Sequence, residues 1–469
     1  MTGRFLPFAM LLYVLVGFFL LIETAWGNPD RQTEQRLQAM EKRIQALEKE
    51  NAELERSLGE QYISANEPEI SARLKAVESQ VYSYKRMART IDGLDGITAG
   101  VGLTMVAQGL SGAPASSTKS SELNYRGDVT VSLPAGSIGN ANGSVFTHFR
   151  MGQGLGLENP AGAFASVNAT SFQRPGSQTS DSTVLLAQAW YQLDVPLPFS
   201  GNPDLSRKHL EFNFGKMDPF LFFDQNRIAD DETRGFMNQA FVHNPLLDVG
   251  SDIGVDEFGF TPGMRLAYQN DWYKPQSYGV SMGIFGAGRG ASYEDSLSDP
   301  FVILQAETGQ RFFGGLEANY RIYYWRNGRG RDFDGSEKKH SGVGLSLDQK
   351  FGDYTTVFAR LGLQTKGRVK FDKALTLGAE FGGSYWNRGA DALGVALGWL
   401  KISNDYQRES LGLDGYRASD AEQLAEVFYR YRLNSQFELS PNLQYIRQPG
   451  GNKLASALTA YGLRVQLNY

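Results

Sequence analysis

Between Met217 and Val255 the chain sets Phe220, Phe222, Phe223, Phe236 and Phe241 among Asp224, Asn226, Arg227, Asp230, Asp231, Arg234 and Asn238. Flat apolar faces beside side chains that make paired hydrogen bonds suit a polyol ring. Its C–H bonds lie against an aromatic face while its hydroxyls meet donors and acceptors around the rim. Arg234 and Asp224 are the expected hydroxyl-binding groups, with Asn226 and Arg227 beside them, and Phe223 or Phe236 the stacking face. A surface loop whose aromatics pack beneath it would show the same composition. Asp230-Asp231-Glu232 offers paired carboxylates or a hard-metal site, but adjacent acids in a loop are usually solvated. His148, His209, His243 and His340 have no metal-ligand spacing, and no nucleophile stands beside a base. No catalytic residue, metal or cofactor is therefore expected.

Such a segment needs elements to hold it, and the flanking sequence is written in a period of two. In the last nine residues Tyr461, Leu463, Val465, Leu467 and Tyr469 alternate with Gly462, Arg464, Gln466 and Asn468. A strand turns successive side chains to opposite faces, so one face is apolar and the other polar. The same pattern runs through 101–106, 123–133, 185–193, 210–214, 264–268, 278–284, 316–324, 343–347, 357–363, 375–381, 393–399, 425–433 and 437–445. With weaker pieces at 145–151 and 301–306 the count is about sixteen strands, as in a porin-sized barrel. Connections near 270–276, 308–312, 351–353, 387–391 and 434–436 are short. Those at 152–181, 217–255, 288–300, 327–339 and 404–421 are long and polar. Long outer loops alternating with short inner turns belong to a membrane barrel and not to a soluble sandwich or propeller. The expected class is all-β: a transmembrane antiparallel β-barrel over residues 95–469, ending on a lipid-facing strand that closes it.

Composition agrees. Of 469 residues 41% are hydrophobic and 12% aromatic, with 53 glycines and no cysteine. Glycine and aromatic enrichment favours strands and tight turns. The missing cysteines exclude disulfide scaffolds and thiolate metal sites. After residue 22 no apolar run approaches the ~20 residues of a spanning helix. A net charge of −5 without a basic stripe argues against nucleic acid as a partner.

The first 94 residues read differently. Arg4, an apolar run from Phe5 to Ile22 and Ala25-Trp26-Gly27 form a signal peptide over residues 1–27, with an uncleaved anchor as the alternative. Leu37, Met40, Ile44, Leu47, Asn51, Leu54 and Leu58 follow a three–four spacing, which predicts an α-helical, self-associating coiled coil within 28–60. A second helix or linker fills 61–94, either extending that stalk or docking at the barrel.

If the apolar parity faces lipid, the lumen receives Arg126, Asp128, Arg150, Arg265, Glu317, Arg321, Arg360, Glu380, Glu426, Arg430 and Arg464. Charges of both signs suit a neutral polyol, whereas an anion pore should carry one sign. Solvation of a polar interior by cross-strand pairs is the competing account for any one of these side chains. The segment 217–255 is expected to fold inward as a constriction loop, with Arg265, Glu317 and Arg321 completing its ring of donors and acceptors.

The chain resembles the carbohydrate-selective porins of the OprB type. The resemblance lies in Gly215-Lys-Met-Asp218, Phe223 to Pro245, Asn319-Tyr-Arg-Ile-Tyr-Tyr-Trp325, Glu426-Val-Phe-Tyr-Arg-Tyr-Arg432, Leu439 to Ile446 and Pro449-Gly-Gly451. It implies a sixteen-stranded channel for passive diffusion of sugars across the outer membrane of a Gram-negative bacterium, surrounded by outer-membrane lipid. Porins of this kind commonly trimerise, so a homotrimer is expected. The coiled coil resembles the stalk of relatives that carry a cell-wall-binding domain, and no such domain is visible here. An envelope tether reaching the cell wall through a periplasmic stalk, and a general small-solute or organic-acid porin, stay open as alternatives.

Overall fold

The computed structural model describes residues 89–90, 97–112, 120–157, 162–172, 181–198, 206–271, 276–313 and 315–469. The signal peptide and coiled coil lie outside these residues. So does the expected second helix, except that Arg89–Thr90 forms a two-residue strand paired with Thr98 and Ala99.

Sixteen strands form the barrel. The first eight are β1 (Thr98–Ser111), β2 (Ser121–Ile138), β3 (Ala141–Gln153), β4 (Thr183–Pro196), β5 (Lys208–Met217), β6 (Thr261–Asn270), β7 (Ser277–Phe285) and β8 (Phe301–Phe312). The rest are β9 (Leu316–Arg331), β10 (Glu337–Phe351), β11 (Thr355–Lys366), β12 (Phe371–Gly382), β13 (Ala392–Ile402), β14 (Ala421–Arg432), β15 (Phe437–Arg447) and β16 (Leu458–Asn468). Each pairs antiparallel with its sequence neighbours, and β16 pairs with β1 from Thr459↔Ser111 to Asn468↔Gly102. The ladder ends on reciprocal backbone bonds between Val101 and Tyr469. Among the described residues closure leaves none of the sixteen barrel strands as an edge, which is what an apolar solvent demands of a sheet.

The burial pattern is inverted relative to a soluble protein. Val101, Met105, Leu123, Val184, Val280 and Ile322 point outward and are exposed, while Gln108, Arg126, Asn213, Ser346, Gln444 and Arg464 are buried inside. An apolar exterior around a polar interior is the signature of a barrel in lipid. Aromatics mark both rims. Tyr278, Phe312, Phe351, Tyr385 and Tyr469 are exposed at the short-turn end, and Trp399, Tyr445 and Tyr461 toward the long-loop end.

One expected loop is corrected. The sequence reading placed a long connection at 327–339, but β9 runs to Arg331, β10 starts at Glu337, and only 332–336 turns between them. The polar residues there belong to the ladder or its tight turn: Arg331, Glu337, Lys338 and Lys339 are exposed, while Asn327 and Arg329 are buried and find partners. Asn327 bonds the Asp252 carbonyl at 2.9 Å, and Arg329 the carbonyls of Glu294 and Asp295 at 3.4 Å.

Candidate functional site: a loop folded into the barrel

The connection between β5 and β6, residues 218–260, does not stay above the barrel mouth. Its contacts with the wall trace a path down the lumen and back. Asp224 meets Tyr323 of β9 and Arg360 of β11, and Asn226 donates to Ser346 and the Leu347 carbonyl of β10. Arg227 then pairs with Glu317, the second residue of β9, and Arg234 with Glu438, the second residue of β15. Both glutamates sit at the short-turn end, so the loop reaches deep before turning. It climbs past Glu426, which accepts from the Met237 and Asn238 amides at 2.7 and 2.9 Å. Asn244 bonds Tyr323 at 2.7 Å, and Asp252 accepts from Trp325 Nε1 at 2.6 Å.

Three local features fix this course. Asp218 caps a single 3₁₀ turn, Pro219–Leu221, by accepting from the Phe220 amide. Asp224 adopts a left-handed backbone (φ 58°), which reverses the chain at a conformation that Asp tolerates better than most side chains. Asn238 caps a one-turn helix, Gln239–Val242, that lays Phe241 beside Phe236. Phe236 in turn packs edge-on against Phe428 of β14 and near Phe358 of β11. The loop thus carries its own apolar core and docks it on the barrel wall.

The wall is shaped to receive it. Tyr323 and Trp325 point inward from β9 and lie across Gly344 and Gly342, their register partners on β10. A Cβ at either glycine would sit 2.2 Å from a ring atom. Tyr323 and Trp325 were not expected at the site. Their parity with Arg321 on the same strand is the signal that points to them.

The expected contact residues separate into two kinds. Asp224, Phe223 and Phe236 have essentially no exposed surface. Asn226 and Arg265 are also buried, Arg265 bonding Glu211 at 2.7 Å and Asn213 at 3.0 Å beneath the Phe222 ring. These five hold the loop and wall together. Surface in the lumen belongs to Arg227, Arg234 and Arg321, whose side chains are 16, 17 and 15% exposed, and to Glu317 at 40%. Arg227 and Glu317 pair directly, with Arg321 two turns of the pleat along the same strand between Glu307 (3.6 Å) and Asp348 (3.5 Å). Arg234 lies apart from them, forked onto Glu438, with its carbonyl bonded by Arg430. Trp190, which packs against Phe222 and Phe146, is a half-buried aromatic that the sequence reading missed.

The acidic run is dispersed among different partners. Glu232 pairs with Arg126 at 2.6 Å, Asp231 accepts from Thr233, and Asp230 lies 3.8 Å from His243. His243 stacks flat on Phe220 at 3.8 Å and bonds Asp248 at 3.0 Å. Burial pulls its imidazole down, but the Asp248 hydrogen bond and the charges of Asp248, Asp230 and Asp218 outweigh this and lift it to about 9. Burial pushes the Asp218 carboxyl up.

A second loop joins the first. Residues 162–172, within the connection expected at 152–181, turn inward. There the Val167 carbonyl accepts from Gln108 at 3.0 Å and Gln444 at 2.8 Å, and the Ala169 amide donates to the Met237 carbonyl at 2.8 Å. Glu422 pins it by accepting from the Phe164, Ala165 and Gly450 amides.

Three comparisons bear on this architecture. The chain is 28% identical over 397 residues to Porin B of Pseudomonas aeruginosa, covering 74% of this chain and 86% of that one. Its fold superposes on the high-pH structure of Pseudomonas putida OprB with a TM-score of 0.62 at 18% identity, over 79% of this chain and 93% of that one. The family described as "Carbohydrate-selective porin, OprB family" matches residues 152–469. That match spans well over half of the chain, and the protein belongs to the OprB family of carbohydrate-selective porins.

Proposed function

We propose that this porin passes neutral sugars by diffusion and that loop 218–260 forms the constriction through which they move. The protein is a channel of the outer membrane and not an enzyme. What carries the sugar reading is the chemistry left exposed beside the loop: the guanidinium groups of Arg227 and Arg321 beside the Glu317 carboxylate, the Arg234 guanidinium apart from them on Glu438, and the half-buried rings of Trp190 and Phe222. A hydroxylated ring needs planar donors, acceptors and an apolar face within one passage, and a single-sign anion filter would not supply them. The description of the family points the same way, and the name Porin B of a relative agrees with a channel.

Liposome swelling tests the proposal against a general solute pore. Neutral mono- and disaccharides should enter faster than organic acids of equal size, and equal rates would favour the unselective channel. A homotrimer, expected from the family resemblance, is part of the same proposal, and sedimentation in detergent measures it.

A further inference from the structure

We infer that Arg464 of β16 and Glu426 of β14 are positioning residues that set the width of the channel by gripping the main chain of the loop at its deepest stretch. This rests on the constriction reading above. Both side chains are buried, and neither has an opposite charge within ion-pair distance among the described residues. Their hydrogen bonds go to backbone instead, with one from Asn442 to Glu426 besides. Arg464 donates to the carbonyls of Glu232 (2.8 Å), Gly235 (2.8 Å) and Arg234 (2.6 Å). Glu426 accepts the amides of Met237 (2.7 Å) and Asn238 (2.9 Å).

The two grips are complementary. A guanidinium has only donors and takes the carbonyls of 232–235, while a carboxylate has only acceptors and takes the next amides. Burying a charge without an ion partner is costly, and here that cost is offset by ordered backbone contacts. Because main chain is held, the side chains of the same stretch remain free for other work. Glu232 reaches Arg126 and Arg234 reaches Glu438. Loop position is therefore set by the wall, and the groups offered to solute by the loop sequence.

The test is single-channel recording on Arg464→Ala, Arg464→Lys, Glu426→Ala and Glu426→Gln, with barrel formation checked by heat-modifiable gel mobility. The Ala variants should form barrels whose conductance and current noise rise and whose block by a neutral monosaccharide weakens roughly tenfold. Arg464→Lys keeps donors for the carbonyls and should restore much of the block. Glu426→Gln keeps the shape with one acceptor oxygen and should be intermediate. It decides the matter if an Ala variant does not fold. A control chain with 228–238 replaced by a short Gly-Ser bridge separates the two claims. An opened control beside unchanged Ala variants overturns the grip and leaves the constriction standing. An unchanged control overturns the constriction itself.

Discussion

Arg360 and Asp224 form an ion pair with no solvent contact on either side chain, Nε to Oδ1 at 3.1 Å, joining the middle of β11 to the loop inside the barrel. The pair is the centre of a saturated network. Tyr323 donates to Asp224 at 2.7 Å, the Asn244 amide donates to its other oxygen at 2.6 Å, and Arg360 also holds the Asp224 and Phe241 carbonyls. Removing one member of such a pair strands the other charge, at about 3–5 kcal/mol. Asp224→Ala should therefore free the descending limb, raising current noise in a barrel that still folds. Asp224→Asn keeps a hydrogen-bonding side chain and tolerates the left-handed backbone, so it should be milder. Equal behaviour of the two variants would contradict this account.

Gly344 gives a prediction about fit. The Tyr323 ring occupies the space that a side chain at 344 would need. Gly344→Ala should displace the ring, weaken its bond to Asp224, and cost about 1–3 kcal/mol as overpacking does. The midpoint of thermal unfolding, read by gel mobility, measures it, with Gly412→Ala as a comparison where no atom stands within 4 Å and the backbone is not left-handed.

Alkaline pH should loosen the loop through His243. Its folded value of about 9 lies above the ordinary ~6.5 of histidine, so its contribution is complete below about 6.5 and is lost as pH rises through about 9. Current noise should stay level up to about pH 6.5, rise progressively above it, and level off beyond about pH 9 to 10. In His243→Gln that rise should be absent; an identical rise in the variant would assign it to another group.

The aromatic pair at Trp190 and Phe222 should serve the solute more than the fold. Aromatic contacts of this kind are worth about 0.5–1.5 kcal/mol, so Phe222→Ala should weaken sugar block roughly two- to tenfold. Small-ion conductance should change less. A loss of both in proportion would mean that the ring only supports the loop.

The barrel was legible because its grammar is local. Alternation at Val101–Val106 or Tyr461–Tyr469 is fixed by a period of two, and lipid leaves no other use for the apolar face. The inward turn of the loop was legible from its length and its mixture of aromatics with charges. Which of its residues would face solute was not. Asp224, Phe223 and Phe236 read as contact groups because phenylalanine and aspartate suit a sugar and a loop core equally well. Only tertiary packing against Phe358, Phe428 and Arg360 tells the uses apart. Arg464 and Glu426 show the same ambiguity from the wall side, since parity places them inward without saying whether solute or backbone meets them. The hairpin at 332–336 was misread for a simpler reason: its ladder is polar on both faces, as a loop is, with Asn327 and Arg329 buried and Arg331, Glu337, Lys338 and Lys339 exposed.

The most direct test of the constriction is block of single-channel current by an added neutral monosaccharide, in the wild type and in Arg227→Ala and Arg234→Ala. Hydrogen bonds to a charged group are worth about 1.5–3 kcal/mol, toward the low end in a wet pore. The wild type should show reversible, concentration-dependent block. Each substitution should weaken it roughly five- to tenfold while ion conductance changes less. Block that is unchanged in both variants, or absent from the wild type, would contradict the assignment of loop 218–260 to the sugar pathway.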